Sequence, residues 1–109
     1  MTKLMIVSIA SDHAGFELKE TIVSHLKALK IEVIDNGPKN DESVDYPDFA
    51  KKVVDDLKGS NANKGILICG SGQGMAMSAN KHTGIRAALC HNLEITKLAR
   101  AHNDSNILT

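Results

Sequence analysis

Short apolar runs alternate along the chain with stretches whose apolar positions recur every three or four residues, a pattern of strands interleaved with amphipathic helices. The first run predicts a strand over about Lys3 to Ser8, followed by the polar turn Ser11-Asp12-His13-Ala14-Gly15. Leu18, Ile22, Leu26 and Leu29, spaced by four, four and three, predict one apolar face of a helix from about Phe16 to Leu29. Ile31 to Ile34 reads as the second strand, closed by the turn Asp35-Asn36-Gly37-Pro38, and Lys39 to Asp45 reads as a surface loop. Pro47 suits the first turn of the next helix. Its stripe is Tyr46, Phe49, Ala50, Val53, Val54 and Leu57, and Gly59 is expected to end it by taking a positive φ.

Gly65 to Cys69 is a continuous apolar run, as expected of a central parallel strand covered on both faces, and the glycine-rich Gly70 to Gly74 leads into a short helix. Arg86 to Cys90 reads as the fourth strand. Asn92 is a candidate N-cap for a helix carrying Ile95, Leu98, Ala99 and His102 on one face, and Asn106-Ile107-Leu108 begins a fifth strand. Nothing repeats internally. The alternation predicts a doubly wound, Rossmann-like α/β fold: a parallel five-stranded sheet in a three-layer α/β/α sandwich. Ligands in such sheets bind at the carboxyl ends of the strands. That rule selects Ser11 to Gly15, Asp35 to Tyr46, Cys69 to Gly74, the Cys90-His91-Asn92 turn and the segment around His102-Asn103-Asp104.

Composition narrows the ligand. The 109 residues suit one domain, 1–109, and 13 Lys plus Arg balance 13 Asp plus Glu, so no single-sign field attracts nucleic acid or an anionic membrane. An aromatic content of 3% leaves no stacking platform for bases, and a small polar ligand fits better. The longest apolar run, Leu4 to Ala10, is broken by Ser8 and stopped by Asp12, too short for a membrane span or a secretory signal, which points to the cytosol. There Cys69 and Cys90 are expected as free thiols, and neither has a spacing that suggests zinc.

Cys69-Gly70-Ser71-Gly72-Gln73-Gly74 sets a thiol at a strand end and glycines before a helix, so that unblocked backbone N–H groups can converge on an anion. It does not spell the dinucleotide fingerprint, because Met75 takes the place of the last glycine and Gly74 comes one residue early. A free thiol, with a pKa of ~8.5, is only about 3% thiolate at neutral pH, and a helix N-terminus is the kind of neighbour that raises that fraction. The alternative is a small buried residue ending a core strand, the reading kept for Cys90. Asp12 and His13 follow the first strand, where a carboxylate accepts sugar hydroxyls and an imidazole donates to a hydroxyl or phosphate; helix capping is the rival for Asp12. His102 extends an apolar helix face, which a core histidine would explain. The polar run Asn103, Asp104, Ser105 and Asn106 beside it favours a functional role. His25, His82 and His91 lack such company and read as solvated.

Taken together, Ser11 to Phe16, Gly65 to Gly72, Asn80-Lys81, Gly84 to Ala87 and His102 to Asn106 closely resemble the ribose 5-phosphate isomerase B family over essentially the whole chain. The resemblance implies a metal-independent aldose–ketose isomerase of the pentose phosphate pathway, without a cofactor, interconverting ribose 5-phosphate and ribulose 5-phosphate. It implies a homodimer or homotetramer with sites shared between subunits. By the same matching, His102 would open the furanose ring, Cys69 would move the proton between the first two carbons, and Gly70, Ser71, Gly72, Gln73 and Gly74 would hold the enediolate oxygen. Asp12, His13, Tyr46 and Asn103 would contact substrate. Relatives that use a glutamate after the loop's last glycine have Met75 as their counterpart here, which leaves Cys69 as the base.

In the family the chain continues well past the equivalent of Thr109, through the rest of the fifth strand and a final helix that carries the phosphate-gripping arginines. The only arginines here are Arg86 and Arg100, neither an evident phosphate clamp, so a shortened chain with weakened phosphate binding is the expectation. The rival functions are isomerisation of a six-carbon sugar phosphate (galactose 6-phosphate or allose 6-phosphate), a noncatalytic nucleotide or phosphosugar binding module, and a catalytically silent partner subunit.

Overall fold

The computed structural model describes residues 5–109. Five parallel strands, β1 (Ile6–Ser11), β2 (Glu32–Asp35), β3 (Lys64–Ile68), β4 (Ala87–Ala88) and β5 (Ile107–Leu108), form one sheet in the order β2-β1-β3-β5-β4. The connecting helices are α1 (Phe16–Ala28), α2 (Tyr46–Lys58), α3 (Gln73–Asn80) and α4 (Leu93–Asn103). This is the doubly wound α/β arrangement the alternation predicts. The part of the first predicted strand at Lys3 and Leu4 lies outside the described residues, and the strand runs on to Ser11.

The two faces of the sheet differ. Ala10, Leu67 and Ile107 point toward α2 and α3 and close the main core with Ala50, Val53, Val54, Met75, Ala79 and Ile85. On the other face, the Ile68 side chain meets the start of α1 at Gly15. Thr96 and Arg100 of α4 line an apolar cleft of about 310 Å³ on that face, over Val7, Ile66 and Leu108. The cleft holds none of the candidate chemical residues except Cys90 at its rim.

Several expectations need correction. The Leu18-Leu29 face of α1 is not the buried one: Leu18 is 54% and Leu29 58% exposed, whereas Lys19 and Val23 face the sheet. The apolar stripe was read one position out of phase, because Lys19, Val23 and Leu26 share a stripe with the same period. Gly59 has φ −82°, and the left-handed residue after α2 is Ser60, at φ 59°. Strand β4 is two residues long instead of five, because only Ala87 and Ala88 pair with β5. Asn92 does cap α4, accepting a hydrogen bond from the Ile95 N–H at 2.8 Å. His102 is exposed rather than an extension of the α4 apolar face, and Leu98 is 46% exposed.

Candidate active site

The carboxyl ends of β1, β2 and β3 are tied together by backbone hydrogen bonds. The Asp12 N–H donates to the Ile68 carbonyl at 2.9 Å, which brings the turn after β1 against the residue just before Cys69. That approach leaves no room for a side chain at Gly15, whose added Cβ would lie 2.6 Å from Ile68 Cγ2 and 2.9 Å from the Ile68 carbonyl oxygen. Asp12 Oδ1 accepts the Gly15 N–H at 2.9 Å, so the carboxylate does fix the entry into α1; its second oxygen has no such bond. The N-cap of α1 is Gly15, so Asp12 orders the turn ahead of the helix rather than capping it.

Cys69 follows β3 directly, and its Sγ accepts the Gly72 N–H at 3.1 Å. Gly72 is left-handed (φ 79°) and is the residue from which α3 starts, so its N–H turns back on the sulfur. A Cβ there would meet Leu89 Cδ1 at 2.6 Å, a side-chain tip that can move, so it is the left-handed conformation that calls for glycine. Gly70 lies beside the first turn, a Cβ on it falling 3.9 Å from Ala14 Cβ. Gly74 lies under the Tyr46 ring, a Cβ on it falling 3.0 Å from Cε1 and Cζ and 3.4 Å from the hydroxyl.

Tyr46 opens α2 and is 39% exposed. His13 is exposed, and its Nδ1 accepts the Val44 N–H at 3.5 Å, a long bond that turns the ring toward the loop before Tyr46. The turn carrying Asp12 and His13 thus reaches the Cys69 loop through Ile68, and Tyr46 reaches it at Gly74. Ser71 and Gln73 are exposed within that loop, and the Ser71 hydroxyl accepts the Gln73 N–H at 3.3 Å. Met75 is fully buried in the core, so this position presents nothing to the edge.

His102 and Asn103 lie elsewhere. They end α4, which runs back across the sheet, and the Asn103 carbonyl accepts Arg86 Nε at 2.7 Å just ahead of β4. Ile107, shortly after them, pairs with Gly65 at the start of β3, four residues before Cys69. At about 3.3 Å per strand residue, Gly65 and Cys69 are themselves roughly 13 Å apart along the sheet. The segment around His102 was expected at the carboxyl edge; in this chain it stands at the amino edge, because a helix returning to the next parallel strand must finish there. Arg86 and Arg100 are engaged at the same amino edge, Arg100 with Asp104 and the Ser105 carbonyl.

The sequence reading missed Lys19 and Asp35. Both belong to the scaffold beneath the carboxyl edge, and a lysine in phase with Val23 and Leu26 was the signal that could have exposed the first.

The carboxyl edge of this doubly wound sheet carries a thiol, a carboxylate, an imidazole and a phenol, group types that serve acid–base chemistry on small polar substrates. Comparison with known proteins gives the family and the fold. Residues 7–109 match the sequence profile of the Ribose/Galactose Isomerase family. Ribose-5-phosphate isomerase B of Escherichia coli (strain K12) is 44% identical over 102 residues, covering 94% of this chain and 68% of that protein. The crystal structure of a ribose 5-phosphate isomerase from Thermotoga maritima superposes with a TM-score of 0.94 at 53% identity, over 95% of this chain and 72% of that one. The type B enzyme of Trypanosoma brucei gives 0.92 at 42% identity, over 97% and 72%. The chain belongs to the Ribose/Galactose Isomerase family and spans about 70% of the length of these relatives.

Proposed function

We propose that the chain interconverts ribose 5-phosphate and ribulose 5-phosphate by proton transfer at Cys69, acting in the cytoplasm as a homodimer or homotetramer. The observation that carries this is the Cys69 sulfur bonded by the Gly72 N–H at the mouth of the glycine loop. In the open-chain aldose, Cys69 thiolate takes the proton from C2, and the electron pair moves into the C1–C2 bond as the carbonyl oxygen becomes an enediolate oxygen. The loop N–H groups from Gly70 to Gly74 stabilise that oxygen where its charge develops. The proton then returns from sulfur to C1, and the O2 hydroxyl proton passes to O1, which leaves the ketose with atoms and charge balanced. Asp12, His13 and Tyr46 hold the sugar.

Ring opening requires an acid–base group on the furanose, assigned to His102 with Asn103 as a substrate contact. With both at the amino edge of their own chain, they are assigned to the site of a second copy. The relatives named as ribose 5-phosphate isomerases support a five-carbon substrate over a six-carbon one.

The test is isomerisation of ribose 5-phosphate by the purified chain and by Cys69→Ala, each with and without a chelator. Loss of a positioned acid–base group removes about 10²–10⁴-fold in rate, so the variant should fall by that much and the chelator should change nothing. Turnover unchanged in the variant would remove Cys69 as the base, and turnover of a six-carbon substrate in its place would correct the substrate.

A further inference from the structure

Lys19 is the one lysine on the inward stripe of α1, and its side chain is 1% exposed. Its ammonium reaches both oxygens of Asp35 at 3.0 Å and Glu20 Oε1 at 2.7 Å, and it lies 5.4 Å from the centre of the Phe16 ring. Burial opposes its charge, but the hydrogen bonds to Glu20 and Asp35 and the charges of both carboxylates outweigh burial and raise its pKa above the ordinary 10.5. It is a fixed cation at neutral pH.

From this cation a continuous chain of bonds leads to the candidate site. Asp35 ends β2, and its Oδ1 also accepts the Gly37 N–H at 2.9 Å. The Gly37 carbonyl accepts the Ser11 N–H at 3.0 Å, and the next residue, Asp12, is bonded to Ile68 beside Cys69. The Asn36 N–H, between these partners, donates to Ile9 in β1 at 2.8 Å. Asp35 is itself 38% exposed, and a pair with both members in solvent would do little for such an edge. A buried ammonium that binds a carboxylate through both oxygens fixes where that carboxylate stands, and with it the turn that the carboxylate holds.

We infer that Lys19 is a positioning residue: by clamping Asp35, it sets the Gly37 turn against Ser11 and so fixes Asp12 and His13 relative to Cys69. Lys19 touches no reacting atom. This deepens the isomerase reading, and only the kinetic part of its test rests on that reading.

Lys19→Met keeps the alkyl stem and removes the charge. In folded protein well below its melting temperature, kcat/KM for ribose 5-phosphate should fall by about 10²-fold, the scale of loss for a misplaced binding group. Alkylation of Cys69 by iodoacetamide should stay within about twofold of wild type, because the Gly72 N–H is untouched. The double variant Lys19→Met with Asp35→Asn should be no worse than Lys19→Met, as members of one unit are not additive. It also serves as the test protein if the single variant does not fold. Folded variants with kcat/KM within about twofold of wild type would overturn the proposal, whatever their melting temperatures. If the wild-type chain has no turnover, the isomerase reading fails, and amide exchange decides the positioning role separately. The Ser11 and Gly37 amides should exchange at least about tenfold faster in Lys19→Met, with α2 and α3 unchanged. Equal exchange at Ser11 and Gly37 would overturn it.

Discussion

At the scale of single residues, the site depends on positions where a side chain is forbidden as much as on those that carry chemistry. Gly15 has φ −93°, which any residue adopts, so its requirement is purely one of space against Ile68. The obstacle includes a backbone oxygen at 2.9 Å from an added Cβ, which cannot rotate away as a side-chain tip would. Gly15→Ala should therefore push the first turn off β3. Overpacking of this kind costs about 1–3 kcal/mol. Urea denaturation should show that loss, and the Asp12 N–H, which bonds to Ile68, should lose protection from exchange. A stability within about 0.5 kcal/mol of wild type, typical of an unconstrained surface change, would show that the contact relaxes freely.

At the scale of elements, the two helices on the cleft face show what the sequence did and did not reveal. The existence and order of all nine elements were legible, because apolar periods of two and of three to four are set by which side of an element faces a neighbour. Their phase was not legible in α1. Leucines on the exposed side and a paired lysine on the buried side invert the usual assignment, and the carboxylates of Glu20 and Asp35 make the buried charge tolerable. The glycine loop, Cys69 and Asp12 were legible because strand ends and turns have local signatures. The separation of His102 from Cys69 was equally local information, since α4 must finish at the amino edge, but it requires the direction of each element as well as its type. In α4, Ala99 is the buried position and Leu93 is 70% exposed, so little burial secures the helix and its cap matters more. Asn92→Ala removes the acceptor of the Ile95 N–H and should destabilise by ~1 kcal/mol, read as a lower midpoint in thermal or urea unfolding. No shift in the midpoint would mean that α4 unfolds separately from the rest of the chain.

At the scale of the whole molecule, the decisive fact is that the assigned ring-opening group and the assigned proton-transfer group occupy opposite edges of one sheet. A rigid parallel sheet cannot bring its own two edges together, so a working site that uses both Cys69 and His102 must combine two copies. This makes the assembly separable by mixing. Cys69→Ala and His102→Ala should each lose activity alone, since each lacks one group at every site. When the two are unfolded together and reassembled at equal amounts, random pairing into dimers gives half mixed dimers. Each mixed dimer has one site built from the intact Cys69 of one copy and the intact His102 of the other. Activity should then return to about a quarter of wild type, with the second site of the mixed dimer carrying both defects. Recovery should require reassembly and be absent when folded, pre-formed dimers are combined briefly. If the mixture stays as inactive as its components although mixed dimers are detected by mass, the two groups do not share a site, and ring opening must fall to a residue at the carboxyl edge. His13 is the imidazole already standing there, beside Asp12 and within reach of the loop before Tyr46.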